Sequence, residues 1–431
     1  MQLLLYSGAI IVILYLMIMG IMRVKMPFWR TQPVFHIYNL KYWLNPPGFI
    51  DKEPPKVNKY LNLINTTMIP VVDAAAVAAS NDVKIKQICN FIRDYYVLHP
   101  DAEYKPSKED IIAYLTCNNH PSFFLVYQEP RLLLEQGNEL SSSTLDQEIV
   151  GVVSIRALNV SLYKKKNKSI SFAVYYVDNL CVKPECRKKG IPPQLIQTLY
   201  YNIARINKKV NAYMFKREGT LNAIVPLVYF DTHGFDISQF NTNIILNPSM
   251  TLIVIGAQQL NVFISFLKLQ KRNFECSVLP DVSSILNLIK LEKLLIYGIL
   301  SGGEIIAIYV FRPLELYYTG DTPGPPIIND GRAVASTKGG KTVECIAIVN
   351  GIKNKEDKSI LIAGFNMSLL KVQAKCNTSM LLLEETAHSS PVVNALNHNY
   401  TVLRKFKSPT AFFLYNYASY SIDKGQVLLI Y

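Results

Sequence analysis

Chemistry in this chain concentrates between Tyr175 and Leu195, YYVDNLCVKPECRKKGIPPQL. Arg187, Lys188 and Lys189 place three cations just before Gly190, with Lys183 close by. The β-branched and aromatic residues upstream read as a strand. Downstream, Leu195, Ile196 and Leu199 carry the apolar spacing of a helix. A basic turn between a strand and a helix N-terminus suits an anion, because unpaired N–H groups and the positive end of the dipole face it. Gly190 lets the backbone approach a ligand closely, and Pro192 suits a first helical turn. Phosphate is the natural guest; a solvated basic turn is the plainer alternative. The polar pair Asp178-Asn179 inside an otherwise apolar strand is compatible with a β-bulge.

The elements around this stretch follow from periodicity. Residues 82–98 carry helical spacing, and Ser107 with Asp110 three residues on forms a capping box. Strands are expected at 122–127, 148–158, 170–177 and 210–214, then a short helix near 223–231. The second half repeats the order: helices near 257–269 and 280–293, strands at 294–300, 304–313 and 342–349, a helix at 357–374, and strands near 378–384, 411–417 and 425–431. Two similar runs of elements suggest two fused α/β units with mixed sheets flanked by helices. The second run lacks a basic Gly turn, so the anion site belongs to the first.

Bulk properties narrow the classes. The 431 residues allow two or three domains, and a net charge of +13 points to an anionic partner. Seven scattered cysteines form no CxxC pattern, and six isolated histidines suggest no metal site. Aromatic residues are not interleaved with the basic clusters, which argues against nucleic acid. Residues 3–22 carry no charge, which predicts a transmembrane anchor over 1–25. Arg23, Lys25 and Arg30 then predict a single-pass membrane protein whose globular part faces the cytoplasm. Residues 26–62 read as a proline-rich extended arm.

Three segments carry a family resemblance. Arg187-x-x-Gly190-x-Pro192 after a strand resembles the pyrophosphate loop of GNAT acyl-CoA transferases. Asn179-Leu180-Cys181-Val182, with Arg187, Lys189 and Pro193 at fixed offsets, resembles the N-myristoyltransferase family. Phe28-Trp29-Arg30-Thr31-Gln32-Pro33-Val34 is similar to that family's Phe-Trp-x-Thr-Gln-Pro-Val segment. Phe413 to Tyr417 and Gly425 to Tyr431 resemble its last two strands.

The resemblance implies an α/β (α+β) fold of two GNAT-like units in a pseudo-twofold arrangement: 26–245 for acyl-CoA and 246–431 for peptide. Myristoyl-CoA is then the co-substrate, with no permanently bound cofactor, and peptides or proteins with N-terminal glycine accept the acyl group. Phe28, Trp29, Cys181, Val182, Arg187, Lys188, Lys189, Gly190, Ile191, Pro192 and Pro193 would bind the acyl-CoA. Backbone N–H groups of Asn179 and Leu180 would stabilise the oxyanion. The α-carboxylate of Tyr431, at the end of an uncharged strand, would serve as base. With a pKa of about 3.5 against about 8 for an α-amine, it could do so only in a dry site.

Departures from the family pattern matter too. Asp178 replaces an asparagine and could hold the ammonium or act as a second base. Phe215 stands where a threonine holds the amine, and the family's acidic cluster is thinned to Asp101 and Glu103. Its Gly-Asp-Gly turn is missing at 407–410. A non-catalytic acyl-CoA or peptide binder and a GNAT transferase of shorter acyl groups are therefore the rival expectations.

Overall fold

The computed structural model describes residues 2–71, 79–97, 102–131, 146–164, 168–219, 223–242, 246–318, 327–329, 332–334, 340–352 and 358–431. Asp101 and the unit boundary at 245 lie outside them. In chain order the first part comprises α1 (Gln2–Lys25), α2 (Leu40–Leu44), β1 (Gly48–Phe49), β2 (Thr66–Val71), α3 (Ala79–Tyr95), β3 (Ala102–Tyr104) and α4 (Lys108–Ile112). Next come β4 (Ser122–Arg131), β5 (Asp146–Lys164), β6 (Lys168–Val182), α5 (Ile191–Ile206), β7 (Ala212–Glu218), β8 (Val228–Asp236) and β9 (Met250–Val254). Then follow α6 (Leu260–Gln270), β10 (Cys276–Leu279), α7 (Val282–Lys290), β11 (Leu295–Ser301), β12 (Glu304–Tyr318), β13 (Ile327–Asn329), β14 (Arg332–Val334) and β15 (Gly340–Asn350). The chain closes with α8 (Lys358–Cys376), β16 (Thr378–Glu384), α9 (Ser390–Asn397), β17 (Leu403–Tyr415), β18 (Tyr417–Ala418) and β19 (Val427–Leu429).

One large mixed sheet organises the molecule, running β19-β10-β5-β6-β7-β17-β8-β16-β15-β12-β11-β9, with β4 and β2 added on β5 and β3 on β12. Helices flank it. α5 packs so closely on β5 that a Cβ at Gly151 would come within 3.1 Å of Ile191 and 3.2 Å of Leu195. The late strands are laced into the early ones. β17 lies between β7 and β8, and β19 runs parallel to β10, which pairs with β5. Pairings of such sequence separation leave little local signal, and they deliver the last residues to the middle of the molecule.

Two expectations fail. Residues 228–236 form the strand β8, not a helix. The apolar spacing before it comes from an extended stretch, and β8 pairs with both β17 and β16. The membrane anchor also fails. The uncharged run does form α1, but among the described residues no helix is long and apolar enough to cross a membrane. The expected membrane partner at 3–22, and the single-pass placement with a cytoplasmic face, are therefore withdrawn. Tyr15 instead ties the helix to the arm, donating its hydroxyl to the Tyr38 carbonyl at 2.8 Å.

The arm binds the two ends of the chain together. Tyr415 donates to Gln32 Oε1 at 2.6 Å, and the Asn416 N–H donates to the Pro33 carbonyl at 2.7 Å. Two of the segments that carried the family resemblance thus touch. At α4 the expected capping box forms, with the Asp110 N–H on Ser107 Oγ and the Ser107 N–H on the Asp110 carboxylate.

Candidate active site

The opening stretch folds as a strand, a basic turn and a helix, with a bulge where the polar pair suggested one. In the β5–β6 ladder Val152 faces Cys181 and Ser154 faces Asp178, so Asn179 and Leu180 together oppose Val153. Two residues against one is a β-bulge. Asn179 sits at φ 52°, in the left-handed region that asparagine tolerates better than most residues. Its side-chain amide donates to Ser154 Oγ at 2.8 Å, and Ser154 donates to the Asp178 carbonyl at 3.2 Å. Asn179→Val should cost about 2–3 kcal/mol, roughly 1–2 for the backbone and about 1 for the lost hydrogen bond. Asn179→Gly should cost clearly less, as read from urea unfolding midpoints.

β6 and β7 part at this point. Their parallel pairing ends at Val177 opposite Phe215, while β7 continues to Glu218 along β17. The opening widens into a cavity of about 1870 Å³. Asp178, Asn179, Leu180, Lys216, Arg156 and Tyr431 all line it. The Asp178 carboxylate accepts from its neighbour's backbone, the Asn179 N–H, at 2.8 Å, and from the Tyr96 hydroxyl at 2.8 Å. That charge is the first cause holding the Tyr96 hydroxyl protonated.

Tyr431 is buried, with 2 % of its surface exposed. Arg312 Nη1 donates to its main-chain oxygen at 3.3 Å. Its hydroxyl donates to Glu384 Oε1 at 2.5 Å and accepts from Lys216 at 3.1 Å. Lys216 also pairs with Glu384 at 2.7 Å and Glu344 at 3.4 Å, and Arg312 Nε bonds Glu344 at 3.0 Å. Burial works against a charged Glu344, yet Arg312 and Lys216 overcome it and hold the carboxyl down at about 2. For Glu384 burial wins, pushing its carboxyl above the usual range against the pull of Lys216.

The remaining expected residues form the turn and the arm. Arg187, Lys188, Lys189 and Gly190 are exposed together, and Gly190 at φ 78° caps α5 without a side-chain bond. Pro192 and Pro193 remove two N–H donors from the first turn of α5, so fewer backbone donors stand at this helix start than at most. Lys183 is engaged by Glu148 at 2.6 Å and Glu185 at 2.7 Å. Cys181, Val182 and Ile191 are buried, and burial pushes the Cys181 thiol up to about 12. The side chains of all three are packed in the core. Phe28 packs edge-on against Trp29 at 5.2 Å and Tyr60 at 5.1 Å; Trp29 stacks on Phe215 at 5.7 Å, at the point where β6 and β7 part. Phe215 faces this aromatic stack, and its neighbour Lys216 takes the cavity side of β7.

Arg156, Lys216, Arg312, Glu344 and Glu384 were not among the expected residues. Part of the signal lay in the sequence: Arg156, Arg312 and Glu344 each sit alone between apolar residues of a strand, as in GVVSIRALNV, whereas Lys216 and Glu384 open the charged runs KRE and EE at strand ends. Among the described residues a metal-ligating type of cluster occurs at Asp231, His233 and Glu385. Lys407 pairs with Asp231 at 3.0 Å and Lys424 with Glu385 at 2.7 Å, so cations already occupy it.

No family model and no curated protein matches the chain by sequence. Solved structures do. A Saccharomyces cerevisiae N-myristoyltransferase with bound myristoyl-CoA is similar at 13 % identity and TM-score 0.65, over 93 % of this chain and 90 % of that one. A second structure of that enzyme with myristoyl-CoA gives 14 % and 0.61, over 93 % and 94 %. A third, with myristoyl-CoA and inhibitors, gives 14 % and 0.64, over 93 % and 91 %. At the level of the fold, a large mixed sheet flanked by helices, this chain is similar to the yeast N-myristoyltransferases along nearly its whole length.

Proposed function

We propose that this chain is an N-acyltransferase that moves a myristoyl group from myristoyl-CoA to the N-terminal glycine amine of a peptide. The carrying observation is that the Asn179–Leu180 bulge and the last residue, Tyr431, line one cavity where two strands part. Similarity of fold to enzymes solved with myristoyl-CoA supports the choice of co-substrate. In this reading residues 26–245 hold the acyl-CoA and 246–431 complete the peptide side, as two fused GNAT-like units.

Arg187, Lys188 and Lys189 take the phosphates. The thioester carbonyl faces the bulge, where the Leu180 N–H donates and the Asn179 N–H joins once the Asp178 carboxylate releases it. Donors of this kind stabilise an oxyanion by about 3–4 kcal/mol each. The ammonium of the glycine loses a proton to the Tyr431 α-carboxylate, with Asp178 holding the nitrogen. Arg312 orients that carboxylate, and its own charge is already matched by Glu344. The neutral nitrogen attacks the carbonyl carbon, the C–N bond forms and the C–S bond breaks. Sulfur departs as the CoA thiolate and takes up the second proton that the new amide sheds.

A second reading has support of its own. Asp178 occupies the Asn179 N–H, and Trp29 stacks on Phe215 where a threonine was expected. Both fit a non-catalytic acyl-CoA or peptide binder. Purified full chain with myristoyl-CoA and a glycine-first octapeptide separates the two. The transferase releases free thiol only when the peptide amine is free; a binder releases none above the peptide-free rate, as does a transferase fed the N-acetylated peptide.

A further inference from the structure

Arg156 is a buried cation with no direct ion-pair partner among the described residues, although the charge of Asp178, two positions away on the facing strand, reaches it. β5 carries it two residues beyond Ser154, opposite Tyr176 on β6, and only 3 % of it is exposed. Its guanidinium lies 5.4 Å from the Tyr114 ring centre and 5.2 Å from that of Tyr176. Nη1 is buried with no hydrogen-bond partner, and among the described residues no carboxylate forms an ion pair with it. Arg312 lies 6.0 Å from the same Tyr114 ring, but Arg312 has Glu344. Two guanidinium groups therefore share one ring, and one of them is neutralised. Contacts with ring faces offset only part of the cost of burying a charge. Arg156 lines the cavity, so a direct anionic partner for the unpaired Nη1 can come from whatever enters it.

We propose that Arg156 recognises a carboxylate at the second or third residue of the acceptor peptide, so that preferred acceptors begin with glycine closely followed by aspartate or glutamate. This rests on the acyl-transfer reading for the peptide's orientation. Ser154 bonds the bulge residue Asn179, and Arg156 lies two strand positions away, about 7 Å along β5. An extended peptide advances about 3.4 Å per residue. With its amine held at Asp178 and its chain running along β5 towards Arg156, such a peptide brings its second or third side chain to the guanidinium. The planar fork of arginine matches a carboxylate with two parallel hydrogen bonds. The single buried charge suits a monoanion, and nearby Asp178 disfavours a dianionic phosphate.

The test uses the full chain with a non-transferable thioether analogue of myristoyl-CoA, and octapeptides that differ only by Asp or Asn at residues 2 and 3. Calorimetric titration should show at least tenfold tighter binding of the Asp peptides. In Arg156→Met that ratio should fall to about one, and Arg156→Lys should keep part of it. The ligand-free Arg156→Met protein should also melt above wild type, because a lone buried charge is gone. Arg156→Gln supplies the same binding comparison if the Met variant does not fold. Equal binding of both peptides by wild type overturns the proposal, as does a preference that survives Arg156→Met. Stabilisation by chloride or inorganic phosphate alone, without peptide preference, marks a small-ion site and overturns it too. A preference seen without thiol release under myristoyl-CoA sinks the transferase reading and leaves this one standing; equal transfer to both peptides does the reverse.

Discussion

Two alanines added after Tyr431, or amidation of its carboxyl, will slow acyl transfer by about a hundredfold or more, the contribution of a positioned general base. Affinity for myristoyl-CoA should change little, because residues 187–190 are not among those lining the cavity that Tyr431 enters. The last residues are firmly placed. Leu428, Leu429, Ile430 and Tyr431 are all buried, and the Ile430 N–H donates to the Val278 carbonyl at 2.9 Å. Any added residue must displace the Arg312 contact or be forced into the cavity. Tyr431→Phe is the control. It removes the hydroxyl on Glu384 and Lys216 but keeps the main-chain carboxyl, so it should lose about 1–3 kcal/mol of stability and still transfer. Stopped-flow thiol release and acyl-CoA titration measure the two effects separately. Unchanged turnover in the extended protein would remove the carboxylate from the mechanism.

Glu344→Gln will destabilise the protein by about 3–5 kcal/mol at neutral pH, since it leaves Arg312 and part of Lys216 buried without their anion. The pH dependence has a definite sign. The Glu344 carboxyl is held at about 2 in the folded protein against an ordinary value of 4.5. Its contribution is thus complete above pH 4.5 and fades as pH falls towards 2. The gap between wild type and Glu344→Gln in chemical unfolding should narrow across that window. Glu384 behaves oppositely. Burial raises its carboxyl, so its contribution is largest below the ordinary carboxylate range and declines as pH rises through its folded value. Glu384→Gln should therefore cost less than Glu344→Gln at pH 7. A larger loss for Glu384→Gln would mean that the strongly held charge has been assigned to the wrong carboxylate.

The parts of the fold legible beforehand were those with local signals. The strand, basic turn and helix from Tyr175 to Leu195 announce themselves by residue type, and Asp178-Asn179 marks a bulge because a polar pair interrupts a pleated apolar run. The Ser107–Asp110 box is equally local. Less was legible where distant strands decide. β8 carries apolar residues at helix-like spacing just before it, and only its two partners, β16 and β17, make it a strand. The parallel pair β10–β19 joins residues about 150 positions apart in the chain, so neither partner predicts the other. The uncharged run at 3–22 was legible as a helix, α1, and no further. The charged cluster around Tyr431 was not legible, because its members come from separate strands. A lone arginine or glutamate in an apolar strand, or the first charge of a run at a strand end, looks like a solvent-facing exception until the strands are laid side by side.

Mass spectrometry of the peptide product tests most directly where the acyl group ends up. After incubation of the full chain with myristoyl-CoA and a glycine-first peptide, fragmentation should place one tetradecanoyl group on the α-nitrogen of the glycine, with one CoA thiol released per peptide modified. Myristoyl-CoA recovered intact beside unmodified peptide, from protein that demonstrably binds both, would contradict the account.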